Sequence, residues 1–228
     1  MRINRYIAQA TGLSRRAADT AISHNRVSVN GQPASTGHIV LPSDIITLDE
    51  QPLAPLTTPQ TIIFNKPAGY VVSRDGQGSK TIYDLLPPEL HNLKPVGRLD
   101  KDSSGLLLLT NDGQLAQNLT HPSFQKEKVY EVVLEKPLRD IHRDHIEQGV
   151  SLEDGLSSLR LRQLHTDPQR WQVTMTEGRN RQIRRTFAAL GYRVLQLHRT
   201  HFGPFSLGDL PLGQSAPAPD LANSKQDH

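Results

Sequence analysis

The stretch that most restricts how this chain can fold is GRLDKDSSGLLLLTNDG, Gly97 to Gly113. Four successive leucines, Leu106 to Leu109, closed by Thr110-Asn111-Asp112-Gly113, predict a buried strand that ends in a turn. Asp100 and Asp102, with Ser103, Ser104 and Gly105 behind them, then occupy a polar loop between that strand and the short apolar approach Leu93-Lys94-Pro95-Val96. Such a loop is held firmly at the edge of a core.

By themselves these residues allow several roles. Asp and Ser in loops most often bond nearby backbone N–H groups and start turns. Asp100, Asp102, Ser104 and Gly105 begin like a calcium loop, but the position that should supply a bidentate Glu is Asn111. A phosphate-cradling loop fails as well, because no Gly-Lys-Ser/Thr follows Gly97.

The whole stretch resembles the signature of the bacterial ribosomal-RNA pseudouridine synthases. That resemblance implies that Asp100, directly after Gly-Arg-Leu, is the catalytic residue. The family usually has Thr where Ser103 stands, a change that keeps the hydroxyl. Asp102 is the rival carboxylate; Asp100 is preferred because it carries the match and adjoins the apolar Leu99.

Composition is compatible with this. The 228 residues, 36% hydrophobic, suffice for one medium domain and a small appendage, and the net charge of +3 suits a polyanion without requiring one. With no cysteine, disulfides, cysteine-based zinc sites and thiol nucleophiles are excluded. No apolar run approaches a membrane span and the polar N-terminus has no signal-peptide core, so a cytoplasmic protein with no membrane partner is expected.

From the N-terminus, Ile3, Ile7 and Ala10 predict a helix ended by Gly12, and Ser14 caps a second with Ala17, Ala18, Ala21 and Ile22 on one face. Arg26-Val27-Ser28-Val29 leads into Asn30-Gly31, a hairpin turn. Arg2, Arg5, Arg15, Arg16 and Arg26 face a single acid, Asp19, over this stretch. Ser14-Arg15-Arg16-Ala17-Ala18 and Arg26 to Gly31 resemble the small S-four-type RNA-binding domain, over residues 1–49. The resemblance implies phosphate contacts by these arginines, which bind phosphate bidentately and position RNA rather than read its sequence.

Pro52, Pro55 and Pro59 make 50–60 the expected linker. Strands are expected at 61–64, 70–73, 129–134, 156–164, 171–176 and 193–197, and helices at 81–86, 113–119, 138–148 and 181–190. The tail, 214–228, has no apolar period and is expected to be disordered. Strands without regular helical alternation argue for an α+β chain: a small N-terminal module and a second domain, 61–213, which the resemblance makes a mixed, mainly antiparallel sheet with its cleft across the middle.

Three distant elements are drawn together by the resemblance. Tyr130 matches the tyrosine that stacks on the target base, and Asn180-Arg181-Gln182-Ile183-Arg184-Arg185 matches the motif whose arginine after Gln-Ile pairs with the catalytic carboxylate. That arginine is Arg184, and Ile183 and Phe187 mark the buried side next to it. Asp100, Tyr130 and Arg184 are therefore expected around one everted nucleotide, with an Asp100–Arg184 ion pair. Arg98, Lys101, Arg181 and Arg185, along with Lys126 and Lys128, are expected along the RNA path; Arg179 forms one basic group with Arg181, Arg184 and Arg185.

The histidine pairs His142/His145 and His198/His201 lack the cysteine or matched acid of a metal site, so no metal is expected. The implied reaction needs no cofactor. The expected activity is pseudouridine formation in ribosomal RNA or a pre-ribosomal particle by a monomer, with a lean to the large subunit from the segment Thr120 to Leu134. The alternative is a non-catalytic RNA-binding or ribosome-assembly protein on the same fold.

Overall fold

A computed structural model describes residues 1–54, 58–164 and 167–219, in two compact units, Met1–Pro59 and Gln60–His228. In the first, helix α1 (Ile3–Thr11) ends at left-handed Gly12, and α2 (Arg15–Ser23) begins where the Ser14 hydroxyl accepts from the Ala17 N–H. Strands β1 (Val27–Val29), β2 (Gln32–Pro33), β3 (Ile46–Leu48) and β4 (Gln51–Pro52) form a sheet in the order β2-β1-β3-β4. Asn30 and Gly31 both have positive φ, the conformation that a two-residue hairpin turn demands. Ile3, Ile7, Ala18 and Ile22 pack on Val27 and Ile46, burying the apolar stripes of both helices against the sheet. Gln51 and Pro52 pair with β3, so the proline-rich stretch begins inside this sheet; residues 55–57 lie outside those described.

The second unit is built on strands β5 (Thr61–Lys66), β6 (Lys94–Val96), β7 (Ser104–Thr110) and β8 (Lys128–Leu134). It continues through β9 (Val150–Leu152), β10 (Gly155–Ser157), β11 (Arg160–Gln163), β12 (Arg170–Met175), β13 (Val194–Phe202), β14 (Phe205–Ser206) and β15 (Ser215–Pro217). The main sheet runs β11-β12-β8-β13-β7-β5-β15, with β14 on β13, β6 on β7, and only β13·β7 parallel among the pairings described. The helices are α3 (Gly113–Thr120), α4 (Asp140–Gln148) and α5 (Gln182–Ala189). The α+β class and the mixed, mainly antiparallel sheet expected from the sequence are both present.

The leucine run is explained by where β7 sits. Leu107 and Leu109 enter one apolar cluster with Phe64 and Tyr130, while Leu106 and Leu108 enter another with Ile63 and Phe202, and all four leucines are 0% exposed. A central strand covered on both faces needs no polar alternation. Where β7 meets β13, Gly105 lies so close to Arg199 that a Cβ would stand 2.5 Å from the Arg199 nitrogen, at a φ of +105°. Only glycine fits there.

Four expected elements differ. Residues 70–73 make a single bridge, Val71 to Thr81, because the Val71 N–H and C=O are taken by Lys80 and Ile82. The helix expected at 81–86 is one 3₁₀ turn, Ile82–Asp84, closed by a Thr81/Asp84 capping box. The strand expected at 156–164 is two, because buried Leu159 donates its N–H to Ile146 and separates β10, paired with β9, from β11, paired with β12. The tail is not irregular from Gln214: Ser215–Pro217 pairs with β5, whose outer edge would otherwise leave buried backbone groups unbonded. Residues 220–228 lie outside those described.

Candidate active site

The Asp100 loop is fixed from three sides. Beneath it, Lys66 at the end of β5 is 0% exposed and donates from Nζ to the carbonyls of Pro67 (3.0 Å), Asp100 (3.1 Å) and Ser103 (2.7 Å). Burial pushes the Lys66 ammonium down to about 8, against the opposing pull of Asp100 and Asp102. The Ser103 N–H closes a turn onto the Asp100 carbonyl at 3.1 Å, and the Gly69 N–H, from the Asn65-Lys66-Pro67-Ala68-Gly69 turn, bonds the Lys101 carbonyl at 2.7 Å. On the third side stands the arginine segment that begins α5.

Arg181 occupies a left-handed conformation, φ 47°, immediately before α5. From there it grips Asp102 with two hydrogen bonds, Nη1 to Oδ1 at 2.8 Å and Nη2 to Oδ2 at 2.9 Å, and brings Nη1 to 3.8 Å from Asp100 Oδ2. The hydrogen bond from Arg181 holds the Asp102 carboxyl below the usual carboxylate range, and Asp102 in turn raises the Arg181 guanidinium. Arg184, one turn on, is more enclosed. Its Nη1 donates to the Val194 carbonyl (2.7 Å), its Nη2 to the Asp102 carbonyl (2.9 Å), and its Nε lies 3.3 Å from Asp102 Oδ2.

The Asp100–Arg184 ion pair expected from the sequence is therefore replaced. Arg184 is committed to Asp102 and to backbone carbonyls, and the guanidinium nearest the Asp100 carboxylate is that of Arg181. Asp100 and Tyr130 line one cavity of about 980 Å³, together with Arg181, Leu197 and Arg199. Arg184 instead lines a neighbouring cavity of about 630 Å³ with Asp102, Tyr192 and Arg193; Arg181 borders both.

Tyr130 is reached from β8, whose alternation sends Tyr130, Val132 and Leu134 into the core and leaves Glu131 exposed. On β13, Arg199 is only 2% exposed, donates from Nε to the Leu106 carbonyl at 2.8 Å and lies 4.9 Å from the Phe202 ring centre. From the sequence, Arg199 drew no attention and Lys66 had no role of its own, although the Asn65-Lys66-Pro67-Ala68-Gly69 turn resembles the opening of the synthase domain. The available signal for Lys66 was a cation closing an apolar strand just before a proline.

The other expected cations divide. Arg2, Arg15, Arg16 and Arg98 are exposed, and Arg5 is half-buried. Lys101 reaches Ser79 Oγ at 3.2 Å, and Lys126 lies over the Phe124 ring. Arg26 is tied to Asp49 through two hydrogen bonds. Arg185 is tied to Asp154 in the same way, and Arg179 to Asp154, Glu177 and three backbone carbonyls. Lys128 donates to three carbonyls, and burial lowers its ammonium. Of the histidines, His142 bonds the Tyr192 hydroxyl at 2.8 Å and His198 the Ser104 hydroxyl at 2.9 Å.

A carboxylate beside a guanidinium and an aromatic ring, on the walls of one cavity large enough to admit a nucleotide, fits the class of enzymes that work on a base withdrawn from its stack. The chain belongs to the RNA pseudouridylate synthase family, whose sequence model matches residues 60–189, and its first 46 residues match the S4 domain. It is 38% identical over 222 residues to the ribosomal small subunit pseudouridine synthase A of Escherichia coli K12, covering 95% of this chain and 96% of that one. Similarity to the ribosomal large subunit pseudouridine synthase B of Xylella fastidiosa is also 38%, over 96% of this chain but 49% of the relative. A solved pseudouridylate synthase superposes with a TM-score of 0.67 at 33% identity, over 95% of both chains. The protein is accordingly a pseudouridine synthase with an S4 domain.

Proposed function

We propose that this enzyme isomerises a uridine of ribosomal RNA to pseudouridine, with Asp100 as the nucleophile. The observation that carries the reading is the shared cavity: the Asp100 carboxylate and the Tyr130 ring line it together, with Arg181 Nη1 3.8 Å from Asp100 Oδ2. In the reaction the bond from uracil N1 to ribose C1′ breaks, the base turns, and C5 bonds to C1′. The C5 proton is released and N1 gains one, so no atom is gained or lost overall. Asp100 supplies the covalent partner that retains the detached base or sugar between these events.

Everting a uridine costs about a few kcal/mol in lost stacking, and an aromatic partner returns roughly 1–3 kcal/mol. Tyr130, 8% exposed and backed by Val132 and Leu197, is a rigid surface for that purpose. Arg181 offsets the negative charge that a closing base would otherwise confine with Asp100. The exposed arginines Arg2, Arg15 and Arg16 of the S4 domain supply phosphate contacts, which weaken steeply with salt.

The small-subunit RNA is favoured as the substrate, because the Escherichia coli small-subunit relative is matched along nearly its whole length whereas the large-subunit relative is about twice as long as the match. Identity, 38% in both cases, does not separate the two. This departs from the lean drawn from Thr120 to Leu134 alone. An rRNA substrate implies work in the cytoplasm; among the described residues no helix is long and apolar enough to cross a membrane.

The test is tritium release from unmodified small- and large-subunit rRNA transcripts labelled at uracil C5. Release from the small-subunit transcript by the native protein, lost in Asp100→Asn, is the expected result. Full release by Asp100→Asn would remove Asp100 from the chemistry, and release from the large-subunit transcript alone would reverse the choice of substrate.

A further inference from the structure

Beside the Asp100 cavity, at its rim, stands a side chain for which neither the fold nor the reaction chemistry accounts. After α3 the chain makes a 3₁₀ turn, Pro122–Phe124, before reaching β8. Phe124 is 49% exposed and is the only aromatic among the large apolar side chains that the described residues leave exposed. It belongs to no core cluster. Its ring meets the His121 ring edge-on, centroids 6.0 Å apart, and Lys126 Nζ stands 6.0 Å from the ring centre. His121 is oriented by the Ser123 hydroxyl at 2.7 Å from Nδ1. His121, Gln125 and Lys126 all line the cavity that holds Asp100 and Tyr130, so the cluster lies at its rim.

An exposed ring with a cation beside it is a poor contribution to folding and a good surface for a nucleobase, which has a π-face and lies next to a phosphate. RNA opened to release one uridine also leaves its neighbours without a stacking partner. We propose that Phe124, with His121 and Lys126, forms a second base-binding subsite that stacks an unpaired nucleotide flanking the target uridine, Lys126 bonding that nucleotide's phosphate. This inference rests on the RNA-modifying reading above and extends it to a residue outside the reacting centre.

The test uses the full chain and the small-subunit rRNA transcript as probe. Kd is measured on the Asp100→Asn background, where turnover is expected to be at least about a thousandfold slower, and KM and kcat for tritium release on the native background. Phe124→Ala and Phe124→Leu should each raise Kd and KM by about 5- to 100-fold with kcat changed less than about threefold. Phe124→Trp should restore binding, because it returns the π-face that leucine lacks. The slope of log Kd against log salt should be unchanged by Phe124→Leu and shallower by about one phosphate for Lys126→Gln.

Native Kd and KM in Phe124→Leu, or a restoration by leucine equal to that by tryptophan, would show the ring to be mere apolar cover and overturn the subsite. Failure of the Asp100→Asn protein to bind either rRNA transcript would overturn the substrate reading and the subsite together. Binding that is intact and indifferent to position 124 would overturn the subsite alone.

Discussion

Two carboxylates grip the same arginine-rich segment, and they differ in what stands behind them. Asp102 holds Arg181 and Arg184; Asp154, in the turn between β9 and β10, holds Arg179 and Arg185. Both grips are bidentate to one arginine, and in both the hydrogen bond from that arginine holds the carboxyl below its usual range. Exposed pairs of this kind add little to stability. Their difference lies in the far end: Asp154 anchors the segment to a peripheral hairpin, while Asp102 belongs to the loop that presents Asp100 and leaves Arg181 Nη1 3.8 Å from Asp100 Oδ2. The same ion-pair chemistry thus fastens a hairpin on one side, and on the proposed reading positions Arg181 beside Asp100 on the other.

The largest effect expected on the Asp102 side comes from the residue it serves. If Asp100 is the nucleophile as proposed, Asp100→Asn should lower tritium release by about a thousandfold or more while RNA binding persists, since the reacting group is lost but no core contact is. Retained release would leave Asp102 and Asp154 indistinguishable in role. Next is Lys66, which grips the same loop from its buried side. Its folded value of about 8 lies below 10.5, so between those pH values the unfolded chain binds more protons and stability rises with pH, by up to about 3 kcal/mol. Below pH 8 both states are protonated and the cost of the buried ammonium is present in full. Urea unfolding of native protein and Lys66→Met across pH 7–11 should show this rise in the native protein alone; parallel curves would show that Lys66 is not held as a depressed ammonium.

How much of this was legible follows from how local each signal is. The buried strand at Leu106–Leu109 was visible because a strand covered on both faces abolishes polar alternation, and the Asn30-Gly31 turn because positive φ selects residue type. The strand Ser215–Pro217 was hidden, since only the distant edge of β5 makes it one. The choice between Arg181 and Arg184 as the neighbour of Asp100 was hidden for a different reason. Both arginines flank the same Gln-Ile pair, and the deciding fact is a left-handed φ of 47° at Arg181, which nothing in its residue type announces. The acid and the aromatic of the cavity were legible through a motif; the direction of a guanidinium depends on backbone that tertiary contacts impose.

The comparison is sharpest when both carboxylates are neutralised in turn. Asp102→Asn removes the charge that orients Arg181 but keeps the size of the side chain and the carbonyl that accepts from Arg184. A guanidinium displaced by even about 1 Å from a reacting centre costs heavily, so kcat should fall about ten- to a hundredfold with little change in melting temperature. Asp102→Glu should recover part of it, which a purely structural loss would not show.

Asp154→Asn is the smallest expected effect and the most informative control. Arg179 would still donate to the carbonyls of Asp154, Gly155 and Leu156 and pair with Glu177, and Arg185 would still donate to the Asn180 carbonyl, so the segment stays fastened when the carboxylate charge is gone. Release of Arg185 adds an unpaired cation near the segment, so any change in RNA affinity should be a slight tightening that fades with salt. With kcat within about twofold of native, the two grips are separated by function. A fall in kcat equal to that of Asp102→Asn would mean instead that the segment moves as one rigid strap, with Asp100 feeling the loss of either anchor.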